Sequence, residues 1–333
     1  MLAVIATVSV GVLAQPSQAQ SPGLYISAGD SIAAGIGSSL PRERGNGALV
    51  TDWLATLTGQ TVPFENLAVP GETAATFIEN GQLQQLRETV ERANAAGTPI
   101  LAVSVSLGGN ELLALEARGL SDRQAGLDNF RNRYGEAIAA IRDTVGPDTT
   151  IVVLTYYSLT GGDETLQFSD AWWIAQFNEA IRTVATGHGA RVAETADPFV
   201  GRIQDFTHYP FDVHPTNAGH MEIARSIWQA LGLDTDSPVL TVTSELVADR
   251  ATPTIRFTVS DHVGVRSVSV TSDDAQVYGP YEVANGEYAV LLDAGAADAK
   301  EVALAIEISD DAGNVTSDVV NVQFADANRG ETP

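Results

Sequence analysis

The sequence of 333 residues contains no cysteine. Disulfide bonds, thiolate metal sites and thioester-linked lipid anchors are therefore excluded on this chain. The absence does not exclude export, because domains without disulfides are also secreted. With no cysteine–histidine cluster available, the sequence predicts neither a metal nor an organic cofactor.

Basic residues are also scarce. The chain has 18 Lys and Arg against 42 Asp and Glu, giving a formal net charge of −24, and Lys300 is its single lysine. Charged residues make up only 18% of the chain, so the imbalance reflects few bases rather than many acids. Binding to nucleic acid or to an anionic membrane needs a basic surface, and this composition argues against both partners.

Long apolar runs are limited to the beginning of the chain. The run from Leu2 to Ala14 is too short to cross a bilayer, and Ser17-Gln18-Ala19 follows it as a small-x-small cleavage pattern. We interpret residues 1–20 as a signal peptide and expect a secreted, extracellular protein. The alternative is a disordered apolar tail. No later segment is apolar enough to predict a membrane span.

The length favours two domains. In residues 21–236, short apolar strands such as Ile100 to Leu107 alternate with segments of helical period. Two of these are Thr73 to Asn94 and Ser121 to Val145, the latter with Ser121 as the expected N-cap. This alternation predicts an α/β domain with a parallel sheet and helices on both of its faces.

The pattern changes after the polar linker at residues 234–238. Residues 237–326 contain short, β-branched, mostly alternating segments separated by turns, which predicts an all-β sandwich, and residues 327–333 form a tail. Asp261-His262 and Asp310-Asp311 are interpreted as turn residues of this sandwich rather than metal ligands.

Gly29-Asp30-Ser31 follows the first predicted strand. A serine at the carboxyl end of a parallel strand stands where α/β folds place their active sites. We expect a helix to begin there, so that its dipole favours negative charge near the hydroxyl. The alternative is that Ser31 is an ordinary helix N-cap.

Three further features lie at strand ends or helix starts. Gly71 opens a helix after a short strand, and its backbone N–H could approach a substrate where a side chain would block it. Asn110 follows the central strand, and His214-Pro215 precedes the final helix. A loop glycine, a turn asparagine and a solvent-facing histidine are the alternatives, but all four features in this order indicate a catalytic site.

With the four sequence segments that contain Ser31, Gly71, Asn110 and His214, residues 23–232 resemble the GDSL/SGNH hydrolase superfamily. The resemblance implies a three-layer, flavodoxin-like parallel-sheet fold and a serine esterase of lipase type. It makes Ser31 the nucleophile and His214 the general base. The oxyanion hole would consist of the Ser31 and Gly71 N–H groups and the Asn110 amide. Glu111 stands where the family usually has aspartate.

The acid of the triad departs from the family pattern. The family usually places it three residues before the histidine, and Phe211 stands there. Asp212 lies two residues before His214, and the side chains of residues two apart point to the same side only in an extended segment. Either Asp212 or a backbone carbonyl is therefore expected to orient His214.

The C-terminal segment resembles bacterial immunoglobulin-like modules, for which binding to a surface or polymer is a hypothesis. The expected substrate of the whole protein is a carboxylic ester, with Trp53, Trp172 and Trp173 considered as lining residues. The alternatives are a polysaccharide O-acetyl esterase and a non-catalytic surface or adhesion protein. Acyl-chain length and oligomeric state are left open.

Overall fold

The computed structural model of the protein describes residues 23–242, 246–248, 254–273, 276–282, 285–292 and 301–324. The expected signal peptide and the tail at residues 327–333 lie outside the described residues. No helix in the described part of the chain has the length and apolar character needed to cross a membrane.

The first unit alternates strands with helices. Its elements are β1 (Leu24–Gly29), α1 (Pro41–Arg44), α2 (Asn46–Thr58), β2 (Phe64–Asn66), α3 (Ala74–Glu79), α4 (Gln82–Ala95), β3 (Ile100–Ser106), α5 (Gly109–Leu115), α6 (Leu120–Val145), β4 (Thr150–Leu154), α7 (Asp170–Gly187), β5 (Arg191–Ala193), α8 (Ile203–Phe206) and α9 (Asn217–Leu231). The five strands form one parallel sheet in the order β2-β1-β3-β4-β5. The predicted parallel α/β architecture is confirmed.

Each face of this sheet is covered by its own apolar core. Side chains alternate along β1, so that Ile26 packs into one core and Tyr25 into the other. In β3, Val103 packs into the same core as Ile26, and Ala102 packs into the same core as Tyr25. Burial on both faces explains why the central strands read as nearly continuous apolar runs.

Three local predictions were wrong. The stretch from Thr73 to Asn94 forms two helices, because Gly81 at φ +97° separates α3 from α4. Helix α6 begins at Leu120 after Gly119, so Ser121 is not its N-cap. Residues 31–37 form successive turns rather than a helix, so the expected helix dipole at Ser31 is missing.

The second unit is built of strands. They are β6 (Val239–Thr241), β7 (Leu246–Ala248), β8 (Thr254–Ser260), β9 (Val265–Ser272), β10 (Val277–Glu282), β11 (Gly286–Leu291), β12 (Glu301–Asp310) and β13 (Val315–Phe324). They form two sheets, β10-β9-β12-β13-β7 and β11-β8-β6, that share one apolar core. Within the described residues all pairings are antiparallel except β13 with β7. The predicted all-β character is confirmed, and the immunoglobulin-like type stays a prediction.

The two units contact each other along α9. The Arg225 Nε of α9 lies 2.6 Å from Asp311 Oδ1, and Arg225 also pairs with Glu222 at 2.6 Å. Val263 and Ala312 of the second unit pack against the apolar core beneath α9. Arg266 of β9 also pairs with Glu222 of α9 at 3.4 Å. The contact therefore combines two ion pairs with a small apolar patch.

Candidate active site

Ser31 lies directly after β1, at the carboxyl edge of the parallel sheet. The turn that holds it is closed by backbone hydrogen bonds from Ala34 N to Asp30 O and from Ile36 N to Ser31 O, both 3.0 Å. Ser31 is half-buried and lines a cavity. Strand and turn together present its hydroxyl to that cavity without a helix.

The preceding residue, Asp30, fixes this turn from below. Its Oδ2 accepts a hydrogen bond from the Tyr156 hydroxyl at 2.6 Å, and its Oδ1 accepts from Ser106 Oγ at 2.8 Å and from Ile32 N at 3.0 Å. Complete burial raises the pKa of Asp30, although these hydrogen bonds oppose the rise. Asp30 therefore serves as a buried anchor for the turn that carries Ser31.

Gln82, the first residue of α4, links the end of β1 to the loop before α3. Its side chain accepts from Gly29 N at 2.6 Å and donates to Gly29 O at 3.0 Å and to Glu72 Oε2 at 2.9 Å. It thus holds the end of β1 against the loop that carries Gly71. Gly29 itself has φ +117°, and a Cβ there would collide with the Ser106 carbonyl.

His214 approaches Ser31 from the loop before α9. Its Nε2 lies 2.8 Å from Ser31 Oγ, and its Nδ1 lies 2.5 Å from Asp212 Oδ1. A carboxylate at Nδ1 favours the tautomer with the proton on Nδ1, which leaves Nε2 to accept the Ser31 hydroxyl proton. The structure therefore brings the three predicted triad residues into one hydrogen-bonded chain.

The carboxylate of Asp212 is held in its ionised form. Partial desolvation would raise its pKa, but hydrogen bonds from the His214 ring and the His214 backbone N lower it overall. Phe211, at the position where the family usually has its acid, is 96% exposed. The carboxylate that contacts His214 is therefore one residue closer to it than in the usual family pattern.

Two contacts hold the loop that carries His214. The Tyr157 hydroxyl donates to Val213 O at 2.9 Å, between the acid and the base. His208 N donates to His214 O at 3.0 Å. The loop is thereby tied both to the end of β4 and to itself.

The two remaining predicted residues lie at the same cavity. Gly71 has φ +88°, and nothing in the described chain lies within 4 Å of where its Cβ would be. The positive φ of the backbone therefore favours glycine at this position, although a side chain there would point into open space. Asn110, in the first turn of α5, donates through Nδ2 to Glu72 O at 2.7 Å. One bond fixes the amide, which leaves its second N–H available.

Glu111, the substitution relative to the family pattern, has a structural role. Its Oε1 accepts from Ala74 N at 2.7 Å, which satisfies a free N–H at the start of α3. Burial is the main cause that raises the pKa of Glu111. The longer side chain therefore joins α5 to the helix that follows Gly71.

A cavity of about 270 Å³ opens beside Ser31 and His214. Its walls are mainly apolar. They include Ile32, Leu112, Leu113, Leu115, Leu159, Trp173, Ile174, Phe177 and Val213. Of the three tryptophans considered from sequence, Trp173 lines the cavity, whereas Trp53 packs against Trp228 and Trp172 packs against Trp173.

Sequence reasoning missed several residues of the site. Ser106, Tyr156 and Tyr157 follow or end strands β3 and β4, and Gln82 begins a helix. Their positions at the sheet edge were a usable signal, but their partners depend on how distant segments meet.

A family model for the GDSL-like lipase/acylhydrolase family matches residues 27–221. No curated protein matches the chain significantly.

Among solved structures, the fold is similar to a lipase from a goat rumen metagenome, with 19% identity and a TM-score of 0.51, covering 64% of this chain and 98% of that one. It is also similar to an acetylxylan esterase from Geobacillus stearothermophilus, with 19% identity and a TM-score of 0.45, covering 65% and 96%. The similarity to the lipase shows a shared fold for the first unit.

Proposed function

The chain belongs to the GDSL-like lipase/acylhydrolase family, and we propose that it hydrolyses carboxylic esters through an acyl-enzyme formed on Ser31. The observation that carries the proposal is the hydrogen-bonded chain from Asp212 through His214 to Ser31, which ends at an apolar cavity. Ester hydrolysis needs a nucleophile, a base and a group that orients the base, and these three residues can supply them.

In the first half-reaction, His214 Nε2 removes the Ser31 proton as Oγ attacks the ester carbonyl carbon. The oxyanion of the tetrahedral intermediate would accept hydrogen bonds from Ser31 N, Gly71 N and Asn110 Nδ2. Each such donor contributes about 3–4 kcal/mol of transition-state stabilisation. His214 then protonates the leaving alcohol, and the acyl group remains on Ser31.

In the second half-reaction, His214 removes a proton from water as the water oxygen attacks the acyl-enzyme. Collapse of the second intermediate returns the proton to Ser31 Oγ and releases the carboxylic acid. Asp212 keeps its charge throughout, because its role is to orient the imidazole and stabilise the imidazolium.

We propose further that the preferred acyl group is longer than acetyl. The cavity wall supplied by α5 and α7 presents Leu112, Leu115, Ile174 and Phe177 to an acyl chain. Each buried methylene is worth about 0.8 kcal/mol, so kcat/KM should rise about fourfold per methylene until the cavity is full.

Nitrophenyl esters from acetate to laurate, assayed beside acetylated xylan, test this preference. We expect a maximum at an intermediate acyl length and weak release of acetate from xylan. Leu113→Asp at the cavity rim should lower kcat/KM for the longer esters and spare the acetate. The exposed Leu120→Asp, outside the cavity, is the control. A preference for acetate and xylan would favour the polysaccharide O-acetyl esterase instead.

Fluorophosphonate labelling separates an active esterase from a non-catalytic surface or adhesion protein. We expect one label per chain on Ser31 and none on Ser31→Ala, with thermal unfolding nearly unchanged. A Ser31→Ala variant that keeps turnover would remove Ser31 from the mechanism, and an unlabelled native chain would favour the adhesion alternative.

Secretion is proposed from the apolar run in residues 1–20. N-terminal sequencing of the protein recovered from the medium should begin close after Ala19. Recovery only from the cell interior with an intact N-terminus would contradict secretion.

A further inference from the structure

Three carboxylates from separate segments meet where the two units join. Asp234 follows α9 in the linker, Asp261 lies in the turn between β8 and β9, and Asp310 ends β12. One carboxylate oxygen from each lies within 4.8 Å of the other two. Asp234 and Asp310 are buried, with 6% and 1% of their surface exposed.

One oxygen of this cluster lacks a partner. Asp234 Oδ2 is buried and accepts no hydrogen bond from any described residue. A buried carboxylate oxygen left in this way is costly unless a cation or another donor reaches it. An oxygen of the Asp234 carboxylate lies within 4.8 Å of an oxygen of each of the other two acids, so this side chain is directed toward them.

The neighbouring groups hold the other carboxylates in place but do not neutralise them. Asp261 Oδ1 accepts from Val263 N and Gly264 N, each at 2.8 Å, and Asp310 Oδ1 accepts from Asn314 N at 2.8 Å. No arginine or histidine of the described chain forms an ion pair with any of the three. The cluster thus carries up to three negative charges without a counter-charge.

One further feature adds negative potential at the cluster. The carboxyl end of α9, whose dipole is negative, lies three residues before Asp234. Asn314 Nδ2 donates to Asp236 O at 2.9 Å and so fixes the linker beside the turn after β12.

We propose that Asp234, Asp261 and Asp310 bind one calcium ion that joins the second unit to the esterase unit. All three ligands are oxygens, the donor type that calcium prefers. Two oxygens on opposite sides of a calcium ion lie about 4.8 Å apart, twice a bond of about 2.4 Å, so the three acids fit one ion. Asp261 and Asp310 then act as ligands as well as turn residues, a role beyond the one expected from sequence.

The experiment uses the full chain, freed of metal with EDTA and returned to chelator-free buffer. Titration with CaCl2 in a calorimeter should show one site per chain. Saturating CaCl2 should raise the unfolding temperature of the native protein by about 5 °C or more, because binding stabilises only the folded state. MgCl2 should act more weakly, since it demands shorter bonds and gives up its water reluctantly.

Asp234→Asn and Asp261→Asn are the test variants because they keep side-chain shape and remove one charge. In EDTA, Asp234→Asn should unfold at a higher temperature than the native chain, since one of three repelling charges is gone. In CaCl2 it should unfold at a lower temperature, because the ion no longer binds. This reversal is not expected of a merely structural residue.

Asp273→Asn, an exposed carboxylate in a turn of the same unit, is the matched control and should keep the full calcium response. Terbium luminescence on the native chain gives a second measure of binding that requires no variant to fold. Equal unfolding temperatures in EDTA and CaCl2, or an Asp273→Asn variant that loses the response as fully as Asp234→Asn, would overturn the proposal.

Discussion

Asp212 Oδ1 accepts two hydrogen bonds from the same residue, one from the His214 ring nitrogen Nδ1 at 2.5 Å and one from the His214 backbone N at 3.2 Å. The backbone bond is the Asx turn that aspartate forms with the residue two positions on. This turn brings an acid at the second position before the histidine into reach, and it needs neither a helix nor an extended strand.

Asp212→Asn tests whether this carboxylate orients the base. We expect kcat to fall on the order of 10⁴-fold, because an amide neither holds the productive tautomer nor stabilises the imidazolium. Steady-state kinetics on a nitrophenyl ester measures the loss. Asp205→Asn, which removes an exposed carboxylate paired with Arg202 at 2.9 Å, is the control and should leave kcat unchanged. A loss under about tenfold would reduce the triad to a Ser31–His214 dyad.

Asn110→Ala tests the side-chain donor to the oxyanion. We expect kcat to fall about 10²–10³-fold with little change in KM, because the bond forms mainly in the transition state. The exposed Asn94→Ala in α4 serves as the control. If KM rose and kcat held, Asn110 would contribute to ground-state binding instead.

The sequence was sufficient to locate the residues whose roles depend on local position. Ser31, Gly71 and Asn110 lie in the segments that follow β1, β2 and β3, so the parallel-sheet prediction alone places them at one edge. The sequence left open whether Asp212 or a backbone carbonyl orients His214. The answer depends on the backbone turn from Asp212 to His214, and the identities of these three residues do not specify its geometry. The surrounding loop sets that geometry.

The supporting contacts were beyond sequence reasoning. Asp30 and Tyr156 are 126 positions apart, and Gly29 and Gln82 are 53 apart. These pairings depend on strand order and on how α4 packs, neither of which follows from periodicity. The break at Gly81 was missed for a related reason, since a single glycine inside a helical pattern is often tolerated.

Tyr156→Phe and Tyr134→Phe form a matched pair of buried substitutions. Loss of the Tyr156 hydroxyl removes the 2.6 Å hydrogen bond to the Asp30 carboxylate and should lower the free energy of unfolding by about 1.5–3 kcal/mol. The Tyr134 hydroxyl is buried without a partner among the described residues, so its removal should be neutral or stabilising. Denaturant unfolding compares them, and equal losses would contradict the anchoring role of Asp30.

A chain ending at residue 236 tests the independence of the esterase unit. All residues that line the cavity precede residue 215, so kcat/KM on small soluble esters should stay within about threefold of the full chain. The unfolding temperature should fall, because the fragment exposes the apolar patch covered by Val263 and Ala312 and loses the Arg225–Asp311 pair. An insoluble or inactive fragment would make the second unit part of the catalytic unit.

His220 should make the stability of the protein dependent on pH. Its ring lies buried in α9, with Nε2 2.9 Å from Ile36 O and Nδ1 3.3 Å from Asn46 Nδ2. In a neutral ring, Nε2 carries the proton and donates it to the Ile36 carbonyl, while the Nδ1 lone pair accepts from the Asn46 amide. A second proton, on Nδ1, would remove the hydrogen bond with Asn46. Burial is the main cause that lowers the pKa of His220 to about 4, against about 6.5 in the unfolded chain.

Because the unfolded chain binds this proton more readily, the contribution of His220 is complete above about pH 6.5 and is lost as the pH falls toward 4. The loss at pH 4 should be about 3 kcal/mol of unfolding free energy, measured by denaturant unfolding in EDTA. Subtracting the unfolding free energy of His220→Gln from that of the native protein at each pH separates the contribution of His220 from those of other titrating groups. His262→Gln, at an exposed histidine, is the control variant. A His220→Gln variant with the same pH slope as the native chain would mean that the folded protein protonates His220 as readily as the unfolded chain does, and the assignment of a buried neutral ring would be wrong.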